Sequence, residues 1–134
     1  IYIDGLLVTG KSQEHFLLGK LIGSTTIRHA LAKAAEDETV RAVVVRIDSP
    51  GGSAVASDII WNAMRQAART KPVIVSMGNV AASGGYYVAV GADTIFADAG
   101  TITGSISTVI LADMAYVKGR KMVFDPKRRR IRPA

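Results

Sequence analysis

The sequence predicts an α/β fold in which a mostly parallel sheet is flanked by helices. Apolar runs rich in β-branched residues alternate with segments whose apolar residues recur at helical spacing. The resulting order, β-α-β-α-β-α-β, is typical of parallel strands that are joined by helices. A chain of 134 residues is long enough for one domain of this kind.

The first strand and the first helix are predicted within residues 1–37. The stretch "IYIDGLLV" alternates and then becomes wholly apolar, which predicts one strand. The stretch "STTIRHALAKAAED" begins with Ser and Thr residues that favour a helix N-cap. Its residues Ile27, Leu31 and Ala34 or Ala35 recur at helical spacing, so we expect an amphipathic helix.

Three further strands and two helices come next along the chain. The run "VRAVVVRID" shows little alternation, so we expect a strand that is covered on both faces. Ser53 is predicted to cap a helix that ends at Lys71-Pro72. "VIVSM" predicts a buried strand, residues 83–90 a short helix and "TIFAD" another strand. The apolar stripe of the helix after Ser53 is Val55, Ile59, Ile60, Ala63, Met64 and Ala67.

The charge distribution argues against nucleic-acid binding by most of the chain. The formal net charge is +6, from 17 basic and 11 acidic residues. Eight basic residues and one acidic residue lie between positions 118 and 132, or +7, which leaves 9 basic and 10 acidic residues, or −1, for residues 1–117. We interpret residues 118–134 as a basic, solvated C-terminal segment.

Composition also excludes several kinds of site. Cysteine is absent, which excludes disulfides, a thiol nucleophile and a zinc–thiolate cluster, and we expect no metal and no cofactor. No apolar run is long enough to cross a bilayer. We expect residues 1–134 to form a single domain. Because the chain starts inside an apolar stretch, we also expect it to be a fragment of a longer protein.

One predicted strand breaks at a pair of glycines. In "RIDSPGGSA", residues 46–54, the strand ends at Pro50-Gly51-Gly52. Adjacent glycines permit positive φ and a close approach of the backbone to another group. This turn lacks the lysine of a phosphate-binding loop. It is either a plain tight turn or a set of N–H donors for an anion.

The next strand is followed by a serine among small residues. In "NVAASGGYYVA", Ser83 lies between two alanines and two glycines, which predicts room for a ligand at its hydroxyl. The carboxyl ends of parallel strands share one edge of a sheet, so we expect the two turns to lie close together. The N–H groups of Gly84 and of Gly51 or Gly52 would then form an oxyanion hole beside a serine nucleophile.

A serine nucleophile requires a base. His15 and His29 belong to no recognisable triad, and we interpret both as structural. Near neutral pH the remaining option is a lysine whose pKa, ordinarily about 10.4, is lowered by burial. Serine–lysine pairs are a known variant of the catalytic triad.

Three stretches together carry a family resemblance. "RIDSPGGSAVASDIIW", "KPVIVSMGNVAASGGYYVAVGAD" and "GTITGSIS" resemble the signal peptide peptidase A family of serine-lysine peptidases, over roughly residues 40–108. A weaker likeness extends to Clp protease and the crotonase group of acyl-CoA enzymes. The resemblance implies a spiral of β-β-α units with Ser83 as the nucleophile and Gly84 with Gly52, or else Gly51, as oxyanion donors. It implies that Ser105 holds the ammonium group of the lysine.

The general-base lysine is not assignable in this chain. The resemblance places it at the very end of the sequence, which reads "IRPA", and Lys118, Lys121 and Lys127 lack the surroundings that the family gives it. "GSIS" also departs from the family's usual "GSIG" after Ser105. Two interpretations stay open: the lysine lies beyond the end of this chain, or another half of a duplicated protein supplies it.

The resemblance implies a serine endopeptidase that degrades short apolar peptides, such as cleaved signal peptides, through an acyl-enzyme. It also implies a homo-oligomer with active sites shared between subunits or repeats. Attachment to the cytoplasmic membrane, on a side left open, would use a segment absent from this chain. Two alternatives remain: a crotonase-type acyl-CoA enzyme, and a catalytically inactive membrane-associated scaffold.

Overall fold

The computed structural model describes residues 1–105, 122–125 and 130–133, with side chains described for residues 1–105. The predicted α/β fold, a mostly parallel sheet flanked by helices, is confirmed. The elements are β1 Tyr2–Asp4, β2 Leu6–Val8, β3 Gln13–His15, β4 Gly19–Gly23, α1 Ser24–Glu36, β5 Val43–Ser49, α2 Ala54–Ala67, β6 Val73–Ala82, α3 Gly84–Ala89, β7 Thr94–Phe96, β8 Ile102–Gly104, β9 Met122–Asp125 and β10 Arg130–Pro133.

The central sheet is parallel throughout. Its order is β1-β5-β6-β7, and β8 pairs with the second half of β6. Two smaller sheets have the orders β2-β4-β3 and β10-β9, and the latter is an antiparallel pair within the basic segment. The carboxyl ends of β5 and β6 therefore lie side by side, as the sequence predicted.

The sequence predicted that β5 is covered on both faces, and this prediction is wrong within residues 1–105. There the helices cover one face of the central sheet and leave the other exposed. Along β5 the exposed fraction alternates: Val45 is 0% exposed and its neighbour Val44 is 54% exposed. Tyr2 and Phe96 are also exposed on strands of this sheet. The β-branched composition indicated a strand correctly, but it did not reveal that only one side is covered.

The predicted first strand is two strands in different sheets. β1 pairs with β5, whereas β2 pairs with β4. The chain turns between them at Gly5, whose φ of +135° is accessible to glycine and not to other residues without strain. A side chain at Gly5 would also collide with the carbonyl oxygen of Lys20.

Two of the helix predictions need correction and one is confirmed. The N-cap of α1 is Gly23, with no side-chain cap bond, and the N–H of Thr25 instead donates to the Gly10 carbonyl. The α2 stripe consists of buried Ala56, Ser57, Ile60, Ala63, Met64 and Ala67, and Val55 is 63% exposed. The predicted cap of α2 is confirmed, because Ser53 Oγ accepts the N–H of Ala56 at 3.3 Å.

Strand β6 is longer than predicted and is irregular in the middle. It continues past "VIVSM" to Ala82. Its pairing with β5 is Ile47 with Met77 and then Ser49 with Ala81, so four steps along β6 match two along β5. The two extra residues form a bulge. Before the bulge β6 pairs with β7, and after it with β8.

Candidate active site

The two glycine turns meet at the carboxyl ends of β5 and β6. An ideal Cβ added to Gly51 would lie 2.6 Å from the Gly84 nitrogen and 2.9 Å from the Ser83 Cβ. Gly51 has a φ of +101°, and Gly52 a φ of +145°. Glycine is therefore required at 51 both for its backbone conformation and for the close approach. The structure brings Ser83, Gly84 and the Gly51-Gly52 turn together.

Ser83 has an unusual backbone conformation. Its φ of 51° and ψ of −117° lie outside the regions that serine ordinarily occupies. The residue joins the end of β6 directly to the start of α3, its N–H donates to the Gly104 carbonyl at 2.8 Å, and its carbonyl accepts the N–H of Tyr87. Nucleophilic serines on sharp strand-to-helix turns show this kind of strain.

The hydrogen bonds around the first turn favour Gly52 over Gly51 as an oxyanion donor. The Gly51 N–H already donates to Ser49 Oγ at 3.1 Å, while that hydroxyl donates to the Gly5 carbonyl at 2.7 Å. The Gly52 N–H donates to no group among the turn and side-chain hydrogen bonds of residues 1–105, and Gly52 is exposed. An N–H that is not already bonded within the protein is what an oxyanion donor requires.

The glycines after Ser83 are explained mainly by packing. A Cβ at Gly84 would collide with Ser57 Oγ on α2, and one at Gly85 would lie 2.8 Å from the Ser49 carbonyl oxygen. The sequence suggested that these positions leave room for a ligand. Instead, neighbouring backbone and side chains occupy that space, and the absence of side chains lets α3 start directly against α2 and the end of β5.

Ser105 lies close to Ser83 along the sheet but is not bonded to it within the described residues. It comes directly after β8, whose Gly104 is paired with Ala82. Ser105 has a φ of 46° and is exposed. The pairing brings the second predicted serine to the same edge as the first.

None of the four lysines in residues 1–105 forms a hydrogen bond with Ser83. Lys20 pairs with Asp4 at 2.7 Å, and Lys71 donates to the carbonyl oxygens of Ala34 and Asp37. Both histidines are exposed, and His15 Nδ1 accepts the N–H of Leu17. Lys118, Lys121 and Lys127, none of which could be assigned as the base from the sequence, lie outside the described residues.

Comparison with known proteins decides the family. Residues 65–120 match peptidase family S49. Protease 4 of Haemophilus influenzae is 47% identical over 107 residues, which are 79% of this chain and 17% of that protein. The chain belongs to peptidase family S49. The chloroplast serine protease SPPA of Arabidopsis thaliana is 46% identical over 91 residues, 68% of this chain and 13% of that protein. This S49 chain therefore spans less than a fifth of the length of these two relatives.

Solved structures show the fold of this S49 chain. A membrane-bound stomatin-specific protease superposes with a TM-score of 0.54 at 22% identity, covering 99% of this chain and 54% of that one. A member of the enoyl-CoA hydratase/isomerase family gives a TM-score of 0.50 at 19% identity, covering 55% of this chain and 36% of that one. The predicted Clp protease/crotonase-like fold is confirmed.

In the part of the S49 chain that is described, no helix is long and apolar enough to cross a membrane.

Tyr87 is held on α3 beside the site by a side chain of α2. Its hydroxyl donates to Asp58 at 2.9 Å, and its ring packs against Trp61. Burial, followed by the hydrogen bond to Asp58 and its negative charge, raises the pKa of Tyr87 to about 12. The phenol therefore stays neutral at the pH values at which a peptidase would work.

One further pattern in this S49 chain does not form the site that its letters suggest. Residues 5–12, "GLLVTGKS", match the phosphate-binding pattern GxxxxGK[ST]. Such a loop leads into a helix whose N–H groups face the phosphate, whereas Ser12 is followed by strand β3. The nearest helix start, at α1, already donates the N–H of Thr25 to the Gly10 carbonyl.

Two residues of the site were missed at the sequence level. Ser49 is fully buried and binds the Gly51 turn, and Asp48 binds the bulge of β6 through its carboxylate. Both stand just before "PGG", and polar residues at the end of a strand rich in valine and isoleucine were the available signal.

Proposed function

We propose that this chain carries the nucleophile and oxyanion hole of a serine peptidase that cleaves short, extended, apolar peptides. The observation that carries the proposal is the contact between the Gly51 turn and the backbone of Ser83 and Gly84. Membership of family S49 supports the reaction class. The chain spans a small part of its relatives, so activity, substrate and partners of the whole protein are parts of this proposal.

In the proposed mechanism a neutral lysine amine takes the proton of Ser83 as its oxygen attacks the peptide carbonyl. The tetrahedral oxyanion is stabilised by the N–H groups of Gly52 and Gly84. The resulting ammonium then gives that proton to the leaving nitrogen, and water hydrolyses the acyl-enzyme by the same steps. Ser105 orients the amine, which comes from outside residues 1–105. The domain works within a homo-oligomer or beside a second repeat of the same protein. Another segment of that protein attaches it to a membrane.

The test is hydrolysis of a fluorogenic apolar peptide by the full-length protein. Ser83→Ala is expected to lower kcat by at least about 1,000-fold, because loss of a nucleophile leaves only oxyanion stabilisation and binding. Ser76→Ala is the matched control, since Ser76 lies on the same strand and its hydroxyl only accepts from Arg46. Equal cleavage by Ser83→Ala and the parent would overturn the proposal.

The same preparations separate the two alternatives. An acyl-CoA enzyme of this fold would turn over a thioester of CoA without needing Ser83. An inactive scaffold would cleave neither substrate. The structural likeness to hydratases does not favour the first alternative, because the fold is common to both groups.

A further inference from the structure

We infer that Asp48 is a positioning residue for the nucleophile: its carboxylate holds the bulge of β6 that aims the end of this strand at the oxyanion turn. The inference rests on the proposed function of Ser83. Asp48 lies at the end of β5, three residues before Gly51, and its carboxylate reaches across to β6. It thereby connects the strand that carries the oxyanion turn to the strand that carries the nucleophile.

The contacts of Asp48 replace backbone pairing that the bulge interrupts. Between the pairs Ile47–Met77 and Ser49–Ala81, β6 has N–H groups that lack a regular partner on β5. Asp48 Oδ2 accepts the N–H of Asn79 at 3.2 Å, and Oδ1 accepts the N–H of Val80 at 3.1 Å. An ionised carboxylate accepts both bonds at once, and such charge-assisted bonds are stronger than neutral ones.

The neighbouring residues are fitted to this carboxylate. Gly78 is buried, and a Cβ on it would collide with Asp48 Oδ2 and would lie 2.8 Å from the Asp48 Cβ. The Gly78 carbonyl accepts the hydroxyl of Thr101 at 2.9 Å, on the segment that leads into β8. The bulge is therefore fixed from β5 on one side and from the β8 segment on the other.

The position of the bulge determines where the end of β6 and Ser83 lie. Val80, Ala81 and Ala82, which pair with β8, follow the register change of β6 against β5 at the bulge. Ser83 comes three residues after Val80, with no other element between them. A change at the bulge would shift Ser83 relative to Gly52, and misplacement of a reacting group by about 1 Å can cost about 100-fold in rate.

The experiment compares two carboxylates that bind the same strand at different positions, Asp48 at the bulge and Asp93 at the start. Asp93 Oδ2 accepts the N–H of Val73 at 2.9 Å, at the start of β6 and far along the strand from Ser83. Asp48→Asn retains one acceptor oxygen but presents an amide N–H to the other backbone donor, and Asp93→Asn makes the same chemical change. Both are made in the full-length protein and assayed with a fluorogenic apolar peptide, alongside thermal unfolding.

Asp48→Asn is expected to lower kcat by about 10- to 100-fold with little change in KM. It should also speed amide hydrogen exchange in the peptide that contains Asn79 and Val80. Asp93→Asn should alter stability without lowering kcat. If Asp48→Asn does not fold, Gly78→Ala displaces the carboxylate while leaving it present, and it should give the same loss of kcat.

Two failures are distinguishable. If the parent protein does not cleave peptides, or cleaves them only as well as Ser83→Ala does, the proposed function fails and the positioning role fails with it. If the parent is active but neither Asp48→Asn nor Gly78→Ala lowers kcat more than Asp93→Asn, the positioning role alone is wrong. A rise in KM with unchanged kcat in Asp48→Asn would also contradict the positioning role, because it would indicate an effect on substrate binding.

Discussion

Gly51 and Gly84, which are 33 positions apart in the sequence, are in backbone contact: a methyl group added to Gly51 would lie 2.6 Å from the Gly84 nitrogen. The contact joins the turn after β5 to the turn after β6. It places the Gly51-Gly52 turn directly beside Ser83, so substitutions that disturb it should affect catalysis more than their effect on stability would suggest.

Gly51→Ala should abolish most of the activity. The new methyl group would push the Gly51-Gly52 turn, with its proposed oxyanion donor, away from Ser83 and Gly84, and loss of one oxyanion donor typically costs about 100- to 1,000-fold in kcat. Gly10→Ala is the matched control, because Gly10 has a similar φ of +91° but has open space at its Cβ. Peptide hydrolysis and thermal unfolding of both variants are the measurements. Equal losses of activity would mean that backbone strain alone explains the effect.

Ser49→Ala should destabilise the turn that carries the proposed oxyanion donor Gly52. It leaves the buried N–H of Gly51 and the carbonyl of Gly5 without the shared hydroxyl, and such unpaired groups cost about 1–3 kcal/mol. Ser57→Ala provides the comparison, since Ser57 is similarly buried but its hydroxyl bonds only to the Ser53 carbonyl one turn earlier on the chain. Urea unfolding measures both, and a smaller loss for Ser49→Ala would contradict the role given to Ser49.

The high pKa of Tyr87 predicts a late step in alkaline titration. Because the fold favours the neutral phenol, the associated stability is fully present below about pH 10 and is lost as the pH rises through about 12. Ultraviolet absorbance of phenolate should show one tyrosine that ionises near 12. Tyr87→Phe should remove that step. Asp58→Asn should lower its midpoint only in part, since burial is the larger cause; an unchanged late step in Tyr87→Phe would assign it to another tyrosine.

The one-sided covering of the central sheet predicts unequal costs for two adjacent valines. Val45→Ala removes buried methyl groups and should lower the free energy of unfolding by about 2–3 kcal/mol. Val44→Ala, on the open face, should cost less than about 1 kcal/mol. Urea unfolding of the full-length protein measures the difference. Equal costs would show that another part of the protein covers this face.

The sequence predicted the meeting of the two turns because that meeting is a consequence of topology. Once two buried strands are parallel and adjacent, their carboxyl ends lie together, and Gly51 and Ser83 come with them. It did not predict the bulge in β6, because "VIVSMGNVAA" carries no signal for an interruption apart from Gly78. The bulge is hydrogen-bonded to Asp48, which is distant in sequence, and local patterns do not report such a contact.

The packing around Ser83 was also beyond local reasoning. Gly84 and Gly85 looked like clearance for a ligand, but their small size is required by Ser57 and by the Ser49 carbonyl. The break at Gly5 was overlooked because the stretches on either side of Asp4-Gly5, "IYI" and "LLV", are apolar and favour strands. In each case a distant part of the chain decides the outcome, which composition and periodicity do not contain.

The central claim is that the Ser83 hydroxyl is the nucleophile, and covalent trapping tests it most directly. Full-length protein is treated with a fluorophosphonate, which phosphonylates nucleophilic serines with loss of fluoride, and is then digested and analysed by mass spectrometry. We expect the probe to be attached to Ser83, with labelling lost in Ser83→Ala and retained in Asp93→Asn. Labelling confined to another residue, or undiminished in Ser83→Ala, would contradict this claim.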